Sequence, residues 1–210
     1  MSAEEKADRE TIAVYDARVS EYAAVFERSE IDPDLVRFMK HLPAEGHVLD
    51  LGCGPAQASA VMRDNGFRVD PVDASPGMVA LANETHDIHA RLATFDDLTA
   101  VAAYDGVWAN FSLLHARRER FAVHIAAIHT ALKPAGVFHI GMKTGEGERR
   151  DHLGRRYCYF SEAELRGILE AGGFSVLATS KGRDKGLAGS VDPWVTLLSR
   201  RTQSGAACRI

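Results

Sequence analysis

Val48-Leu49-Asp50-Leu51-Gly52-Cys53-Gly54 constrains this 210-residue chain more than any other segment. A short apolar run that stops at two glycines reads as a strand feeding a tight turn. Glycine accepts the positive φ such a turn needs and lets a ligand approach the backbone closely. Ala56 to Asn65 then reads as a helix closed by Gly66. The N-terminus of that helix directs unpaired N–H groups at whatever sits over the turn. Phe67 to Val72 is the next strand, and Asp73 follows it, nineteen residues beyond Gly54. A carboxylate there can accept both hydroxyl protons of a ribose.

A glycine turn with a ribose acid fits several adenosine-bearing ligands, and Asp50 separates them. A carboxylate inside the first strand would repel a diphosphate resting on the turn. S-adenosylmethionine carries an ammonium and a sulfonium and no phosphate, so an acid is useful there.

Downstream, strands and helices alternate. Ser75-Pro76 opens a helix. Ile88 to Thr94 and Tyr104 to Asn110 read as strands, and Phe121, Ile125, Ile128 and Leu132 mark a helical stripe. Pro134-Ala135-Gly136 turns into a strand over Val137 to Met142. Ser161-Glu162-Ala163-Glu164 is a capping box for a helix ended by Gly172-Gly173. Phe174 to Thr179 and Trp194 to Ser199 are the last strands. Upstream, Ile12, Tyr15, Val19, Tyr22 and Phe26 fall on one face of a helix from Glu4 to Arg28. Asp32-Pro33 opens a second helix reaching about Leu42.

Such alternation implies βαβ units, a mostly parallel sheet and helices on both faces. We expect one domain over residues 1–200, with a helical cap at 1–43, a substrate loop at 143–160 and a flexible tail at 201–210. The net charge of −4 and the pI near 6.1 do not suggest a nucleic-acid binder. The first residues lack the apolar core of a signal peptide, and no apolar run is long enough to span a bilayer. Cys53, Cys158 and Cys208 form no CxxC pair, so neither a metal site nor a disulfide framework is expected. A cytoplasmic protein, monomeric or homodimeric, is the expectation.

The chain resembles the class I S-adenosylmethionine-dependent methyltransferases. Val48 to Gly54 matches their acid-x-Gly-x-Gly motif, and Val72-Asp73-Ala74-Ser75-Pro76-Gly77-Met78 matches the motif whose acid takes the ribose. Tyr104-Asp105-Gly106-Val107-Trp108 matches the family's fourth strand, and Leu132-Lys133-Pro134-Ala135-Gly136 its turn before the fifth. The resemblance runs from about Tyr15 to Ser199. It implies a Rossmann-like α/β fold with seven strands in the order 3-2-1-4-5-7-6, the last antiparallel. It also implies S-adenosylmethionine as cofactor, S-adenosylhomocysteine as product and a small, polar or anionic acceptor. The implied cofactor contacts are Tyr15, Tyr22, Asp50, Gly52, Cys53, Gly54, Asp73, Ala74, Met78, Thr94, Phe95 and Asn110. Two departures stand out. Ala56 occupies the family's third glycine position, and Thr94-Phe95 stands where many members have an acid for the adenine amino group.

His115, just past the fourth strand, is a candidate general base or substrate contact. The alternative is a histidine bonded to backbone at the start of a helix. Tyr22 is a second candidate near the reacting end, against simple helix packing. Lys143 to Phe160 carries three glycines, five basic residues and two tyrosines. There Lys143, Arg149, Arg150, Arg156 and Tyr157 would grip an anionic or polar acceptor from a mobile lid. The alternative is a solvated charged loop. Two other functions share the fold. An NAD(P)-dependent oxidoreductase is disfavoured by Asp50 and by the absence of any Tyr-x-x-x-Lys pair. A non-catalytic S-adenosylmethionine binder stays open.

Overall fold

The computed structural model describes residues 7–26 and 30–202. The expected ends of the first helix, Glu4 and Arg28, lie outside the described residues. So do the Phe26 side chain, Cys208 and the tail from residue 203.

Seven strands form one sheet: β1 (His47–Leu51), β2 (Arg68–Asp73), β3 (Arg91–Leu92), β4 (Tyr104–Asn110), β5 (Leu132–Lys143), β8 (Phe174–Lys185) and β9 (Val191–Arg201). Their order is β3-β2-β1-β4-β5-β9-β8. The first five are parallel, and β9 runs antiparallel to both β5 and β8. Two short strands, β6 (Glu148–Arg150) and β7 (Arg156–Cys158), form a separate antiparallel pair. With that pair set aside, the sheet has the expected order. Among the described residues no helix is long and apolar enough to cross a membrane.

Alternation along the strands sorts the core onto two faces. Leu49, Val107, Phe138 and Leu197 point to one side, where α6 (Arg118–Ala131) and α7 (Glu162–Ala171) cover them. Their neighbours Val48, Trp108, Val137 and Leu198 point to the other, with α3 (Pro33–Met39) and α4 (Gln57–Asp64). The remaining helix behind β2 and β3 is α5 (Pro76–His86), held by Ser75, whose hydroxyl accepts the Met78 N–H at 3.1 Å.

Several elements differ from the sequence reading. The third strand shrinks to two residues, because edge pairing reaches only Arg91 and Leu92. The final hairpin is longer than expected, its register running out to Lys185↔Val191. The first helix breaks at Arg18 into α1 (Arg9–Ala17) and α2 (Val19–Phe26). No proline or glycine marks the break. Asp16 is bonded by the Gly77 N–H at 3.0 Å and by the Ser75 hydroxyl, and these ties to α5 set the end of α1. The capping box at Ser161 is half made: its hydroxyl accepts the Glu164 N–H, while the Glu164 carboxylate turns to Arg118.

Two of the four recognisable motifs prove to hold the fold together. Asp105 accepts Lys133 Nζ at 2.7 Å and the His47 N–H at 2.8 Å, so the fourth-strand motif is bonded to the start of β5, which takes in the turn expected at 134–136.

Candidate functional site

In a sheet ordered this way, the chain leaves β1 and β4 in opposite directions, and a crevice opens beyond their carboxyl ends. That crevice is a cleft of about 1020 Å³, its mouth included. Leu51, Gly52 and Gly54 line it from the end of β1, and Asn110, Phe111 and Ser112 from the end of β4. Asp73, Ala74, Ser75 and Met78 close one side, and Thr94 and Phe95 the next. Thr11, Tyr15 and Tyr22 of the first two helices lie across the top.

The turn after β1 has φ = +81° at Gly52 and +53° at Gly54. At Gly52 the need for glycine is steric as well: a Cβ there would lie 2.3 Å from the Cβ of Ser112. The close approach at this position comes from the β4 turn of the same chain. Ser112 is fixed in turn by donating its hydroxyl to the Leu51 carbonyl at 2.5 Å. Ala56, at the third motif position, has φ = +64°, a left-handed conformation that disfavours any Cβ.

Asp73 joins the two turns. One carboxylate oxygen accepts the Gly54 N–H at 2.8 Å, the other the Ser75 N–H at 2.9 Å. Burial pushes its pKa up despite these bonds. Asp50 lies one layer behind the lining, 2 % exposed, and accepts the Ser59 hydroxyl at 2.6 Å. Burial raises it to about 7, with Asp73 adding repulsion. Cys53 points away among small residues, Ala56 and Ala60 included, and burial drives its thiol far above the ordinary range. Thr94 accepts nothing from the cleft: its N–H and hydroxyl both donate to Asp97, each at 2.8 Å. Phe95 meets His124 edge-on at 5.7 Å, and Arg120 pairs with Asp96 at 2.8 Å; Phe95, Ala116, Arg120 and His124 all line the cleft.

The opposite end is built around His115. Its Nδ1 lies 2.6 Å from the Arg156 carbonyl and its Nε2 2.7 Å from the Tyr15 hydroxyl. Burial, with Arg155 and Lys143 nearby, lowers its pKa to about 4. Arg155 is 2 % exposed and sits between the rings of Tyr15 and Tyr157. It donates twice to Asp151, at 2.7 and 3.0 Å, and to the Tyr15 oxygen at 3.2 Å.

Of the residues expected at the site, Tyr15, Tyr22, Gly52, Gly54, Asp73, Ala74, Met78, Thr94, Phe95, Asn110 and His115 line the cleft. Asp50 and Cys53 do not, nor do the basic residues expected to grip an acceptor. Lys143 pairs with Asp192 at 2.6 Å and lies over the Tyr157 ring. Arg149 stacks on Tyr159, Arg150 forks onto Asp8 and reaches Glu10, and Arg156 stands 3.6 Å from Asp8. The charges of Lys143, Arg150 and Arg156 are committed to Asp192 of the last hairpin and to Asp8 and Glu10 at the start of the first helix. Thr11 and Ser59 were not singled out in the sequence, and Arg155 only as one of five basic residues, because Arg156, Asp50 and Tyr15, which they meet, lie on other elements.

Three comparisons bear on the site. Residues 48–136 match the family model "Methyltransferase domain". An uncharacterized methyltransferase of Staphylococcus carnosus (strain TM300) is 32% identical over 110 residues, half of this chain and 51% of that one. The malonyl-[acyl-carrier protein] O-methyltransferase of Enterobacter lignolyticus (strain SCF1) is 34% identical over 105 residues, 47% of this chain and 40% of that one. The match thus spans about half the length of these curated relatives or less. The crystal structure of Burkholderia thailandensis 1,6-didemethyltoxoflavin-N1-methyltransferase, with its substrate and S-adenosylhomocysteine bound, superimposes with a TM-score of 0.72. It is 26% identical, over 97% of this chain and 94% of that one.

Proposed function

We propose that this chain is a class I S-adenosylmethionine-dependent methyltransferase, whose cleft binds S-adenosylmethionine and methylates a small, polar acceptor. The observation that carries this reading is the pair of buried carboxylates at the glycine turn. Asp50 and Asp73 are both raised by burial, and each repels its neighbours' charge. A ligand with cationic groups relieves that repulsion; a diphosphate would add to it. The chemistry of the site therefore fits a positively charged, phosphate-free nucleoside.

Asp73 would hold the ribose, and the Gly52–Gly54 backbone the chain that bears the ammonium, with Asp50 as a charge behind it. Met78, Phe95 and His124 would enclose the base. Bound there, S-adenosylmethionine would supply an activated methyl carbon. The protein's own task is to place the acceptor in line and exclude water. Tyr15, Tyr22 and the first two helices form the roof that does so. The bound substrate of the Burkholderia enzyme is a small molecule, which supports an acceptor of that size here.

Calorimetry tests the reading. S-adenosylhomocysteine should bind and NAD should not compete with it. Asp73→Ala should weaken S-adenosylhomocysteine by at least about tenfold, the scale of lost charge-assisted hydrogen bonds. Preference for NAD would replace this reading with an oxidoreductase. Binding without methyl transfer to any acceptor would make the chain a non-catalytic binder.

A further inference from the structure

We propose that Tyr15 is the side chain that takes the acceptor's proton, and that it passes its own to His115, so that the acceptor is a conjugated O–H or ring N–H acid. This rests on the reading above, that the cleft holds a methyl donor and a small acceptor.

The argument starts from the two nitrogens of His115. A carbonyl oxygen only accepts, so the 2.6 Å contact with the Arg156 carbonyl places a proton on Nδ1. In the neutral ring Nε2 is then the one basic nitrogen. Tyr15 occupies it, donating its hydroxyl at 2.7 Å. Both nitrogens are thus engaged, and an acceptor reaches the imidazole only through the Tyr15 oxygen. Tyr15 lines the cleft, and its oxygen accepts from Arg155 at 3.2 Å with the Tyr157 phenol beside it. Arg155 in turn is fixed by Asp151 and enclosed by two aromatic rings. Burial raises the Tyr15 hydroxyl's pKa, and the guanidinium held against its oxygen opposes that rise as the proton leaves.

The proton movements balance. The acceptor X–H bond breaks and a Tyr15 O–H bond forms; the former Tyr15 O–H bond breaks and a His115 Nε2–H bond forms. The pair left on X is the nucleophile. His115 is held near pKa 4 by burial and by Arg155 and Lys143, with Asp151 opposing them, so the imidazolium returns its proton to water once the cleft opens. The wiring also selects the acceptor. A base as weak as this imidazole, reached through a phenol, favours acceptors whose anion is stabilised by conjugation, such as phenols, enols and heteroaromatic N–H acids. An alkylammonium would bring a third cation toward Arg155 and Lys143.

Three measurements decide it. First, S-adenosylhomocysteine should bind wild type by calorimetry; no binding to wild type would sink the methyltransferase reading instead of this one. Second, at saturating S-adenosylmethionine, a panel of substituted phenols, enols and heteroaromatic N–H acids should be methylated, and Tyr15→Phe should lower kcat about 10²-fold with KM little changed. Turnover of alkylamines alone, turnover of no acid while S-adenosylhomocysteine binds, or a kcat within threefold of wild type each overturns the proposal. Third, ¹⁵N NMR of His115 needs no acceptor: at pH 7 Nδ1 should carry the proton, and the Nε2 resonance should shift in Tyr15→Phe. A proton found on Nε2 overturns the direction of the relay.

Discussion

The floor of the cleft, from Gly52 to Asp73, is held by backbone; its roof, Asp8 to Tyr15 against Arg150 to Tyr157, is held by side chains. In the floor, the Gly52 and Cys53 N–H groups donate to the Val72 carbonyl and the Gly54 N–H to Asp73, all within about twenty residues of chain. In the roof, Tyr15 meets His115, Arg155 meets Tyr15, Arg150 meets Asp8 and the Arg156 N–H meets Thr11, partners 100 to 145 residues apart. Turn geometry fixes a floor of this kind whatever fills it. A roof of side chains can open without unfolding the sheet, which suits the part that must admit an acceptor.

Substitutions should separate the two regions by size of effect. Gly52→Ala should be the most damaging: positive φ and a 2.3 Å clash with Ser112 together cost about 3 kcal/mol. Thermal unfolding should register a loss of roughly 6–12 °C. A smaller shift would mean the floor is softer than its backbone bonding implies.

Asp50→Asn should act in the opposite direction on stability. The folded pKa of about 7 lies above the ordinary 3.8, so the acid favours folding only while protonated. Its cost is absent below about pH 4, grows as pH rises, and is complete above pH 7. At pH 8 Asn, which can keep the Ser59 bond, should raise Tm by roughly 4–8 °C, on the order of 2 kcal/mol. The gain should vanish near pH 4, while S-adenosylhomocysteine binding weakens. A gain that persists in acid would show that packing, not charge, is responsible.

Ala56→Gly compares a strained floor position with its helical neighbour. Both Ala56 and Ala60 are buried, but only Ala56 has positive φ. Glycine at 56 relieves strain as it loses a methyl, so it should cost about 1–2 kcal/mol less than glycine at 60. Equal losses in chemical denaturation would show that Ala56 is not strained.

Arg150→Ala should have the smallest effect, because its pair with Asp8 is partly exposed. The loss should stay below about 1 kcal/mol and fade in high salt. A larger, salt-insensitive loss would mean the roof is anchored as firmly as the floor.

The same contrast explains how much was legible beforehand. The glycine turn, Asp73 and the capped helices are local, and their residue types state the backbone they need. The helix Glu4–Arg28 was read as one piece because nothing local breaks it; Asp16 bonding to Ser75 and Gly77 ends α1 at Ala17. The basic residues of 143–160 looked available for a ligand, since a sequence does not show that Asp8, Glu10 and Asp192 come to meet them. Arg155 stood out only as one more basic residue of that segment, for its enclosure depends on Tyr15, which comes against it from 140 residues away.

By itself the amino-acid sequence determined the alternation of strands and helices, the glycine turn and the acids that flank it, because apolar period, φ preference and spacing are local quantities; the order of the strands followed only from the family resemblance. Tertiary structure alone decided which groups the two nitrogens of His115 meet, which cations are engaged and which tyrosines line the cleft. Those depend on distances between segments more than a hundred residues apart, and no local pattern encodes them.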